Sequence, residues 1–503
     1  MLSYIAQTTM AYLEGMPKKD RKKIGQFFTS KETAEYMASL FAIPDKEKIT
    51  ILDPGTGTGI LSAALIDRIL QTDSKICIEL TCYETDENVL PVLKDNLQYM
   101  KIFYGNRLDI TLKQEDYLLS QSNNFNGEIF SDSEMKKWDV IISNPPYKKI
   151  EKKHPAAMAM SKVVHGSPNL YFLFMSMALF NLRQGGEMVF IVPRSWTSGA
   201  YFKAFREYLL SYGKLTYIHL FASRDKVFKE EQVLQETMIV RIKKTNEDVK
   251  QVAIASSESG HDFLQIDKIM QSYNQIVVGK DKYVLLPISQ EQVSVINMIN
   301  TYHRNMPDYG YKMKTGIVVD FRQKYALRDT CDDDTVPLFY SQNIQDGMVN
   351  HHPSGKQYDW MVKDYTALLQ DNKDYVFLKR FTAKEEKRRL QCGIYCAEKF
   401  REYSYIGTHN KINFIERTDK EPFSKQEIYG LYALFNTTMY DTYYRILNGS
   451  TQVNSTELNN IPVPPIEIIS QIGEKLMDIG NLDTKNCDRI VMELAYGKEN
   501  SRG

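Results

Sequence analysis

The feature that most restricts the fold is a glycine-rich turn between a strand and a helix near the N-terminus. Residues 49–53 (ITILD) have the pattern of a buried strand, and residues 60–70 have helical apolar spacing. The DPGTGTG segment between them contains Gly55, Gly57 and Gly59, which permit a tight turn and a close approach of the backbone to a ligand. This arrangement is typical of an α/β sheet that binds a nucleotide-like ligand at its strand ends.

Strand and helix patterns continue to alternate through the first half of the chain. The segments predicted as strands are 76–83, 138–143, 188–192, 215–221 and 237–242, and the predicted helices are 87–100, 169–182 and 201–210. This alternation predicts an α/β domain with a mostly parallel sheet. The last two strands have no helix between them, so we expect them to pair antiparallel. We also expect the helix at 169–182 to be ended by the Gly185-Gly186 pair.

The second half of the chain has a different texture. The alternation weakens after about residue 245, and from about 290 tyrosines, basic residues and turn signals mix without strand–helix order. We therefore predict a catalytic domain at 1–280 and a separate α+β domain at 281–503. Lys+Arg and Asp+Glu both total 63, so any nucleic-acid site has to be a local basic patch.

Composition also bears on compartment and metal content. The six cysteines include a CxxxC pair, Cys392 and Cys396, but lack the spacing of a zinc site or a disulfide framework. The N-terminus lacks a signal-peptide pattern, and the longest apolar stretch, near residues 171–180, is too short to span a bilayer. We expect a cytoplasmic protein that holds no metal and does not associate with membranes.

Several residues around the glycine turn suit a nucleoside ligand. Glu84 ends the second strand, where a carboxylate can accept hydrogen bonds from ribose hydroxyls. Asp116, before Tyr117, could accept an adenine amino group, although an ordinary loop acid explains it equally well. Thr29 or Ser30 could cap the next helix, whose free N–H groups could hold a carboxylate. S-adenosylmethionine carries such a carboxylate and NAD does not, and the absence of a Gly-Lys-Ser/Thr sequence disfavours phosphoryl transfer.

The most informative stretch is Asn144-Pro145-Pro146-Tyr147, directly after the strand WDVIIS. Asn-Pro is also ordinary turn chemistry, but this turn lies at the carboxyl edge of a parallel sheet, where ligands bind. The amino group of adenine is a poor nucleophile because its lone pair is delocalised into the ring. Two acceptors, the Asn144 side-chain oxygen and the Pro145 carbonyl, would favour a tetrahedral nitrogen that can attack a methyl sulfonium. The prolines restrict the backbone, and Tyr147 offers a flat face for stacking a base.

The order GQFFTS, DPGTGTG, YETD, EDY and NPPY resembles the gamma-class amino-methyltransferases of bacterial restriction–modification systems. The NPPYKKI and IVPRS segments are most similar to the PstI/BsuBI-like modification enzymes, and the resemblance covers most of the first 245 residues. It implies a Rossmann-like class I methyltransferase domain followed by a target recognition domain. It also implies S-adenosylmethionine as cofactor, adenine N6 of a flipped base in double-stranded DNA as target, and a separate restriction endonuclease as functional partner.

The resemblance also implies roles for single residues. Thr29 would contact the methionine carboxylate of the cofactor, Glu84 its ribose and Asp116 its adenine. Phe228 matches a position where the family places a second stacking aromatic besides Tyr147. The residues expected to bind the cofactor are Phe28, Thr29, Asp53, Gly55, Gly57, Gly59, Glu84, Asp116 and Tyr117.

Basic residues concentrate in residues 379–401. Contact with DNA phosphates is one interpretation, and a solvated, salt-bridged helix explains the KEEKRR segment almost as well. The loop 449–454 (GSTQVN) carries Gln and Asn, which suit adenine contacts in the major groove, but a surface turn is equally plausible. The residues expected to contact DNA are Lys148, Lys149, Lys379, Arg380, Lys387, Arg388 and Arg389.

Other functions share this chemistry. Methylation of RNA or of a protein glutamine also requires acceptors on an amino group, and protein glutamine methyltransferases likewise carry NPPY. A cofactor-binding scaffold without activity is a further alternative, which the intact Asn144-to-Tyr147 motif disfavours. The large C-terminal half favours DNA, and Asn144 favours adenine because relatives that methylate cytosine usually begin this motif with serine.

Overall fold

The computed structural model describes residues 1–15, 29–72, 75–127, 136–221, 236–257, 263, 266, 268–353, 358–383 and 385–497. The chain forms two compact units, Met1–Ile288 and Ser289–Gly503, which we call unit 1 and unit 2. They divide close to the boundary expected between residues 280 and 281.

Within the described part of unit 1, nine strands form one sheet in the order β3-β2-β1-β4-β5-β7-β6-β8-β9. β1 to β5 are mutually parallel, and the strand order reverses between β1 and β4, which is where open α/β sheets bind ligands. The strands are β1 (Lys48–Pro54), β2 (Cys77–Tyr83), β3 (Leu108–Lys113), β4 (Trp138–Ser143), β5 (Leu182–Pro193), β6 (Lys214–Phe221), β7 (Thr237–Lys243), β8 (Gln251–Ser257) and β9 (Lys268–Ser272), followed by a small hairpin of β10 (Val277–Val278) and β11 (Tyr283–Val284).

At the end of the sheet formed by β6 to β9, one prediction from the sequence is confirmed and another is wrong. β7 pairs antiparallel with β6 as predicted. The prediction that the strand at 237–242 is the last of this domain is wrong, because β8 pairs parallel with β6 and β9 pairs antiparallel with β8. The segment QVAIASS in β8 consists largely of small residues between polar linkers, so it has little of the apolar contrast by which strands are identified.

A second correction concerns the long apolar helix, which ends at Asn181 rather than at the glycine pair. Gly185 and Gly186 lie inside β5, whose residue Leu182 pairs with Trp138 whereas Glu187 pairs with Val140. The intervening residues bulge out of register, and Gly185 reaches a φ of 82° in the left-handed region, which glycine adopts without strain.

Helices cover both faces of the sheet. Neighbouring residues of a strand point to opposite faces, so Ile51 belongs to the apolar core under α1–α4 and Leu52 to the core under α5–α9. The helices are α1 (Leu2–Gly15), α2 (Lys31–Ser39), α3 (Ile60–Thr72), α4 (Leu90–Tyr104), α5 (Tyr117–Asn126), α6 (Pro155–Ala159), α7 (Leu170–Asn181), α8 (Lys203–Tyr212) and α9 (Tyr273–Ile276). Unit 1 thus has the Rossmann-like three-layer architecture of class I methyltransferases.

Unit 2 has the α+β class that the sequence predicts. A six-stranded sheet has the order β12-β22-β19-β20-β16-β15 and a five-stranded sheet the order β13-β17-β14-β21-β18. The strands are β12 (Tyr311–Thr315), β13 (Leu327–Arg328), β14 (Thr335–Phe339), β15 (Ile344–Gln345), β16 (Met348–Val349), β17 (Trp360–Val362), β18 (Leu369–Asp371), β19 (Tyr375–Lys379), β20 (Cys392–Tyr395), β21 (Tyr405–Thr408) and β22 (Ile412–Arg417).

The helices of unit 2 lie mostly after the strands in the chain. α11 and α14 touch through their backbones, since a Cβ on Gly430 would lie only 1.9 Å from the carbonyl oxygen of Ile469. The helices are α10 (Gln290–Ile299), α11 (Lys425–Phe435), α12 (Thr438–Leu447), α13 (Ser455–Leu458), α14 (Ile466–Ile479) and α15 (Thr484–Val491). Across the residues that the structure describes, no helix has the length and apolarity that crossing a membrane requires.

Candidate functional site

A pocket of about 260 Å³ opens at the carboxyl ends of β1, β2 and β4, beside the point where the strand order reverses. It brings together residues from six segments that are far apart in the sequence. Its lining residues are Thr29, Gly55, Thr56, Gly57, Thr58, Ile60, Leu61, Tyr83, Glu84, Thr85, Asp86, Glu115, Asp116, Tyr117, Asn144, Pro146, Lys148, Leu170 and Phe174.

The glycine turn forms the floor of this pocket. The backbone N–H groups of Gly55 and Thr56 both donate to the carbonyl oxygen of Tyr83 at 2.9 Å, which joins the ends of β1 and β2. Gly55 and Gly57 have φ angles of 73° and 61°, so both positions require the left-handed freedom of glycine. A Cβ at Gly55 would lie 3.4 Å from the ring of Phe174. The turn therefore presents bare backbone to a ligand.

Glu84 is held by the backbone at the end of β2. Its carboxylate accepts hydrogen bonds from the N–H groups of Gly57, Thr85 and Asp86, each at 2.8 Å. Burial raises the pKa of Glu84, and these backbone bonds oppose that rise because they stabilise the charged form. A carboxylate has about four acceptor positions, so Glu84 can still accept a further hydrogen bond from a ligand hydroxyl.

Asp116 and Tyr117 form the opposite wall. The exposed Asp116 caps α5 by accepting a 2.9 Å hydrogen bond from the N–H of Leu119. Tyr117 is buried, its hydroxyl accepts a hydrogen bond from Asn181 at 3.0 Å, and its ring centroid lies 5.5 Å from that of Phe174. This wall combines a carboxylate with aromatic faces, a combination that suits an adenine ring.

Asp53 and Gly59 do not line the pocket, in contrast to the sequence expectation. Asp53 lies beneath the turn with 1% of its surface exposed, and accepts a 2.6 Å hydrogen bond from the hydroxyl of Ser62. Burial raises the pKa of Asp53 to about 7, and the charge of Glu84 adds to this rise. Gly59 precedes α3 and faces Leu93. Both residues shape the turn from below.

The NPPY tetrapeptide lies at the rim, where Asn144 and Pro146 line the pocket and Pro145 is buried. The side-chain amide N–H of Asn144 donates to the hydroxyl of Thr29 at 3.1 Å, which orients the acceptor end of the amide away from Thr29. The Tyr147 hydroxyl donates to the carbonyl oxygen of Ile191 at 2.9 Å. Both polar side chains of the motif are thus oriented by the fold.

The charges of the lining residues restrict the ligand. Four carboxylate side chains, those of Glu84, Asp86, Glu115 and Asp116, line the pocket, and Lys148 is the one lysine or arginine among the described lining residues. Such a pocket repels a polyphosphate and attracts a cation. S-adenosylmethionine carries a sulfonium and an ammonium group, so its charges fit this site better than those of NAD or ATP.

Two residues expected at the site cannot be placed, and one residue of the pocket was not expected from the sequence. Phe28 and Phe228 lie outside the residues that the structure describes. Phe174 lines the pocket against Gly55 but was not expected there. α7 is apolar on all sides, so periodicity could not indicate which of its residues faces a ligand.

In unit 2 the basic residues predicted to contact phosphate differ in burial, and two of them, Arg388 and Arg389, bond protein groups. Arg389 is fully buried, and its guanidinium donates to the carbonyl oxygen of Ser450 at 2.7 Å and to the hydroxyl of Thr382 at 3.1 Å. Arg388 donates to the carbonyl oxygen of Thr437 at 3.1 Å, beside the C-terminus of α11.

The prediction that Arg389 binds phosphate is wrong, because its guanidinium is fully buried and bonds groups inside unit 2. Arg388 is half-buried, and its contact with phosphate stays a prediction. The described part of the KEEKRR segment is also not helical, which excludes a salt-bridged helix there. Lys387 is exposed, and Lys379 and Arg380 are half-buried. In unit 1 Lys148 and Lys149 are both exposed, and Lys148 is at the pocket rim.

Within the described residues, no group of three or more His, Cys, Asp or Glu side chains is arranged to hold a metal ion. The site thus consists of a pocket lined by four carboxylates and by the oriented Asn144, while Tyr147 of the same motif does not line it.

Comparisons with known proteins identify the family of this chain. The model of the Eco57I restriction-modification methylase family matches residues 69–228. The type II methyltransferase M.BsuBI of Bacillus subtilis is 31% identical over 96% of this chain and 96% of its own length. The type II methyltransferase M.PstI of Providencia stuartii is 32% identical over 94% of this chain and 92% of its own length.

The fold of the type IIL restriction-modification enzyme MmeI, solved in complex with DNA, is also similar. It has a TM-score of 0.52 and 12% identity, and the match covers 96% of this chain and 74% of MmeI. The cofactor is S-adenosylmethionine. The chain belongs to the family of type II restriction–modification methyltransferases that includes M.BsuBI and M.PstI.

Proposed function

We propose that this protein methylates the N6 amino group of a specific adenine in double-stranded DNA. The observation that carries the proposal is the oriented amide of Asn144 at the rim of the cofactor pocket. An amide oxygen next to a proline carbonyl offers the two acceptors that an exocyclic amino group needs.

In the proposed reaction, the two N–H groups of the adenine amino group donate hydrogen bonds, one to the side-chain oxygen of Asn144 and one to the carbonyl oxygen of Pro145. Bound S-adenosylmethionine supplies a methyl group on a positively charged sulfur. The two acceptors draw the nitrogen toward a tetrahedral geometry, so that its lone pair faces the methyl carbon. Transfer would form the N–C bond and break the C–S bond, leaving S-adenosylhomocysteine as the neutral thioether, and the proton that the amino nitrogen loses would pass to solvent.

The adenine has to leave the duplex to reach this position. Tyr147 would stack on the extruded base, and its hydroxyl bond to Ile191 keeps the ring from turning away. Lys148 and Lys149 are exposed next to the motif, where they can bind the phosphates that flank the extruded nucleotide. Phe228 remains the proposed second stacking residue.

Residues 281–503 act in this proposal as the target recognition domain, and residues 1–280 as the catalytic domain. Two named relatives are type II methyltransferases, and on that basis we infer a separate restriction endonuclease that cuts the same sequence when it is unmethylated. Methylation would then protect the DNA of the host.

The test uses S-adenosylmethionine with a radiolabelled methyl group and unmethylated genomic DNA, followed by digestion to nucleosides and chromatography. Label in N6-methyldeoxyadenosine is the expected result, and the Asn144→Ala variant serves as the inactive control. Parallel reactions contain RNA or protein in place of DNA. Transfer to RNA or to protein glutamine, with none to DNA, would contradict the proposed substrate and retain the proposed chemistry.

A further inference from the structure

One end of the six-stranded sheet in unit 2 gathers loops that are far apart in the sequence. β12 and β19 end there, at Thr315 and Lys379, and β22 begins there at Ile412. Four segments emerge at this place, and we call them together the loop end: residues 316–322, 380–382, 409–411 and 450–453.

Backbone hydrogen bonds join the four segments in one series. The Asn410 N–H donates to the carbonyl oxygen of Val318 at 2.8 Å, and the Arg380 N–H donates to that of Lys411 at 2.9 Å. The Val453 N–H donates to the carbonyl oxygen of Arg380 at 2.7 Å. The loop end is therefore a continuous hydrogen-bonded surface rather than a set of independent loops.

An aromatic side chain protrudes from each side of this surface. Phe321 is 72% exposed at a turn closed by a 2.9 Å bond from the Arg322 N–H to the Val319 carbonyl oxygen. Val318 before the turn is fully buried, which anchors the turn and leaves Phe321 directed outward. Phe381 is 44% exposed beside Gln452. Exposing large apolar rings at two anchored positions costs solvation free energy, which contact with a partner would recover.

Arginines accompany both rings. The guanidinium carbon of Arg322 lies 5.4 Å from the ring centroid of Phe321, and that of Arg380 lies 5.5 Å from the ring centroid of Phe381. Arg322 and Lys411 are exposed. DNA offers bases, which pack against aromatic rings, and phosphates, which bind cations. An aromatic ring beside a cation can therefore contact a base and a neighbouring phosphate together.

Two carboxylates near these cations interact with protein groups. Asp320 accepts a 3.0 Å hydrogen bond from the Tyr340 hydroxyl and lies 3.2 Å from the imidazole of His409. Glu386 accepts hydrogen bonds from the Ala383 N–H at 2.6 Å and from the Gln391 side chain at 2.5 Å. Arg322 and Lys411 are exposed, whereas these two carboxylates bind protein groups, so this part of the loop end attracts an anion.

We propose that the loop end is the surface by which unit 2 holds duplex DNA. Phe321 and Phe381 contact the bases through their apolar rings, and the exposed Arg322 and Lys411 contact phosphates. This inference rests on the proposed function, since it assigns the contact surface for the DNA that the enzyme methylates.

The test measures binding of the full-length protein to a fluorescent duplex containing a site that the wild-type enzyme methylates, by anisotropy at several salt concentrations. Replacing both exposed cations, R322A/K411A, removes two phosphate contacts. We expect affinity to fall at least tenfold near 0.1 M salt, and the slope of log affinity against log salt to decrease by about 2. Phe321→Ala should lower affinity severalfold and leave that slope unchanged, because the ring carries no charge.

Lys425→Ala is the matched control, since this lysine has 63% of its side chain exposed and lies outside the loop end. It should bind DNA as the wild type does. S-adenosylmethionine affinity and the melting temperature show whether each variant is folded. If folded R322A/K411A and Phe321→Ala both keep wild-type affinity and salt slope while the wild type methylates DNA, the inference is wrong and the proposed function stands. If the wild type transfers no methyl group to DNA, the proposed function itself fails.

Discussion

Two short segments attract attention in the sequence, the NPPY motif at 144–147 and the basic run at 387–389, and the fold treats them differently. Asn144 and Tyr147 are each oriented by a hydrogen bond, and Asn144 lines the pocket. The three consecutive basic residues separate, since Lys387 is exposed whereas Arg388 and Arg389 donate to groups inside unit 2.

The difference follows from what determines the direction of each side chain. The motif follows β4 directly, so the strand and two prolines determine where its groups point. The basic run lies in an irregular loop between β19 and β20, and there each side chain turns toward whichever acceptors the tertiary structure provides. Charge density along a sequence therefore does not indicate a binding surface, whereas a motif placed at a strand end does indicate a site.

The largest expected effect tests the first half of this comparison. Asn144→Ala removes one of the two acceptors, and by analogy with the loss of one oxyanion-hole donor we expect kcat to fall by about 10² to 10³. S-adenosylmethionine binding, measured by calorimetry, should change little because the pocket floor is intact. A variant with wild-type turnover would show that this amide does not take part in the reaction.

The second prediction contrasts neighbours in the basic run. Arg389→Ala removes a buried cation that bonds Ser450 and Thr382, so we expect a loss of about 3 kcal/mol in the free energy of unfolding of unit 2. Lys387→Ala should cost less than about 0.5 kcal/mol because its side chain is exposed. Urea unfolding followed by tryptophan fluorescence measures both. Equal free energies of unfolding for the two variants would contradict the conclusion that Arg389 is structural whereas Lys387 is exposed.

The third prediction concerns the acid beneath the glycine turn. The raised pKa of Asp53, about 7, lies above its value in the unfolded chain. Folding then favours the protonated form, so the stability from this group is complete below pH 4 and is lost as the pH rises toward 7. The asparagine in the Asp53→Asn variant does not titrate, so the variant does not lose this stability. The difference in melting temperature between the variant and the wild type should therefore shift in favour of the variant by several degrees from pH 4 to pH 8. If the difference in melting temperature stays constant from pH 4 to pH 8, the pKa of Asp53 in the folded protein is not raised into that range.

The smallest effect refines the orientation of Asn144. Thr29→Val removes the hydroxyl that accepts the Asn144 amide N–H, and a hydrogen bond of this kind contributes about 1 kcal/mol. We expect a fivefold to tenfold decrease in kcat. Thr29→Ser retains the hydroxyl and is the matched control. Equal kcat values for the two variants would mean that Thr29 does not position the amide through its hydroxyl.

The apolar pattern and the order of the motifs predicted the parallel strands of unit 1 and the position of its pocket. This was possible because β1, β2 and β4 are buried parallel strands, whose carboxyl ends lie at the same edge of the sheet. The bulge at Gly185-Gly186, β8 and β9 were missed or misplaced. β8 consists largely of small residues and resembles a polar linker, β9 is an edge strand with one buried residue, and a glycine pair after an apolar helix equally suits a helix end. In unit 2 the class could be predicted but the strand order could not, since pairing between segments such as β12 and β22 spans about a hundred residues.

The sequence by itself therefore determined the glycine turn, the strand-end acid Glu84 and the tetrapeptide beginning at Asn144, since each depends on chemistry encoded within a few adjacent residues. Only the tertiary structure placed Phe174 against Gly55, buried Asp53 and Arg389, and joined Phe321 and Phe381 on one surface. These placements depend on contacts between distant segments, and such contacts are decided by burial and by the pairing of buried polar groups across the whole unit.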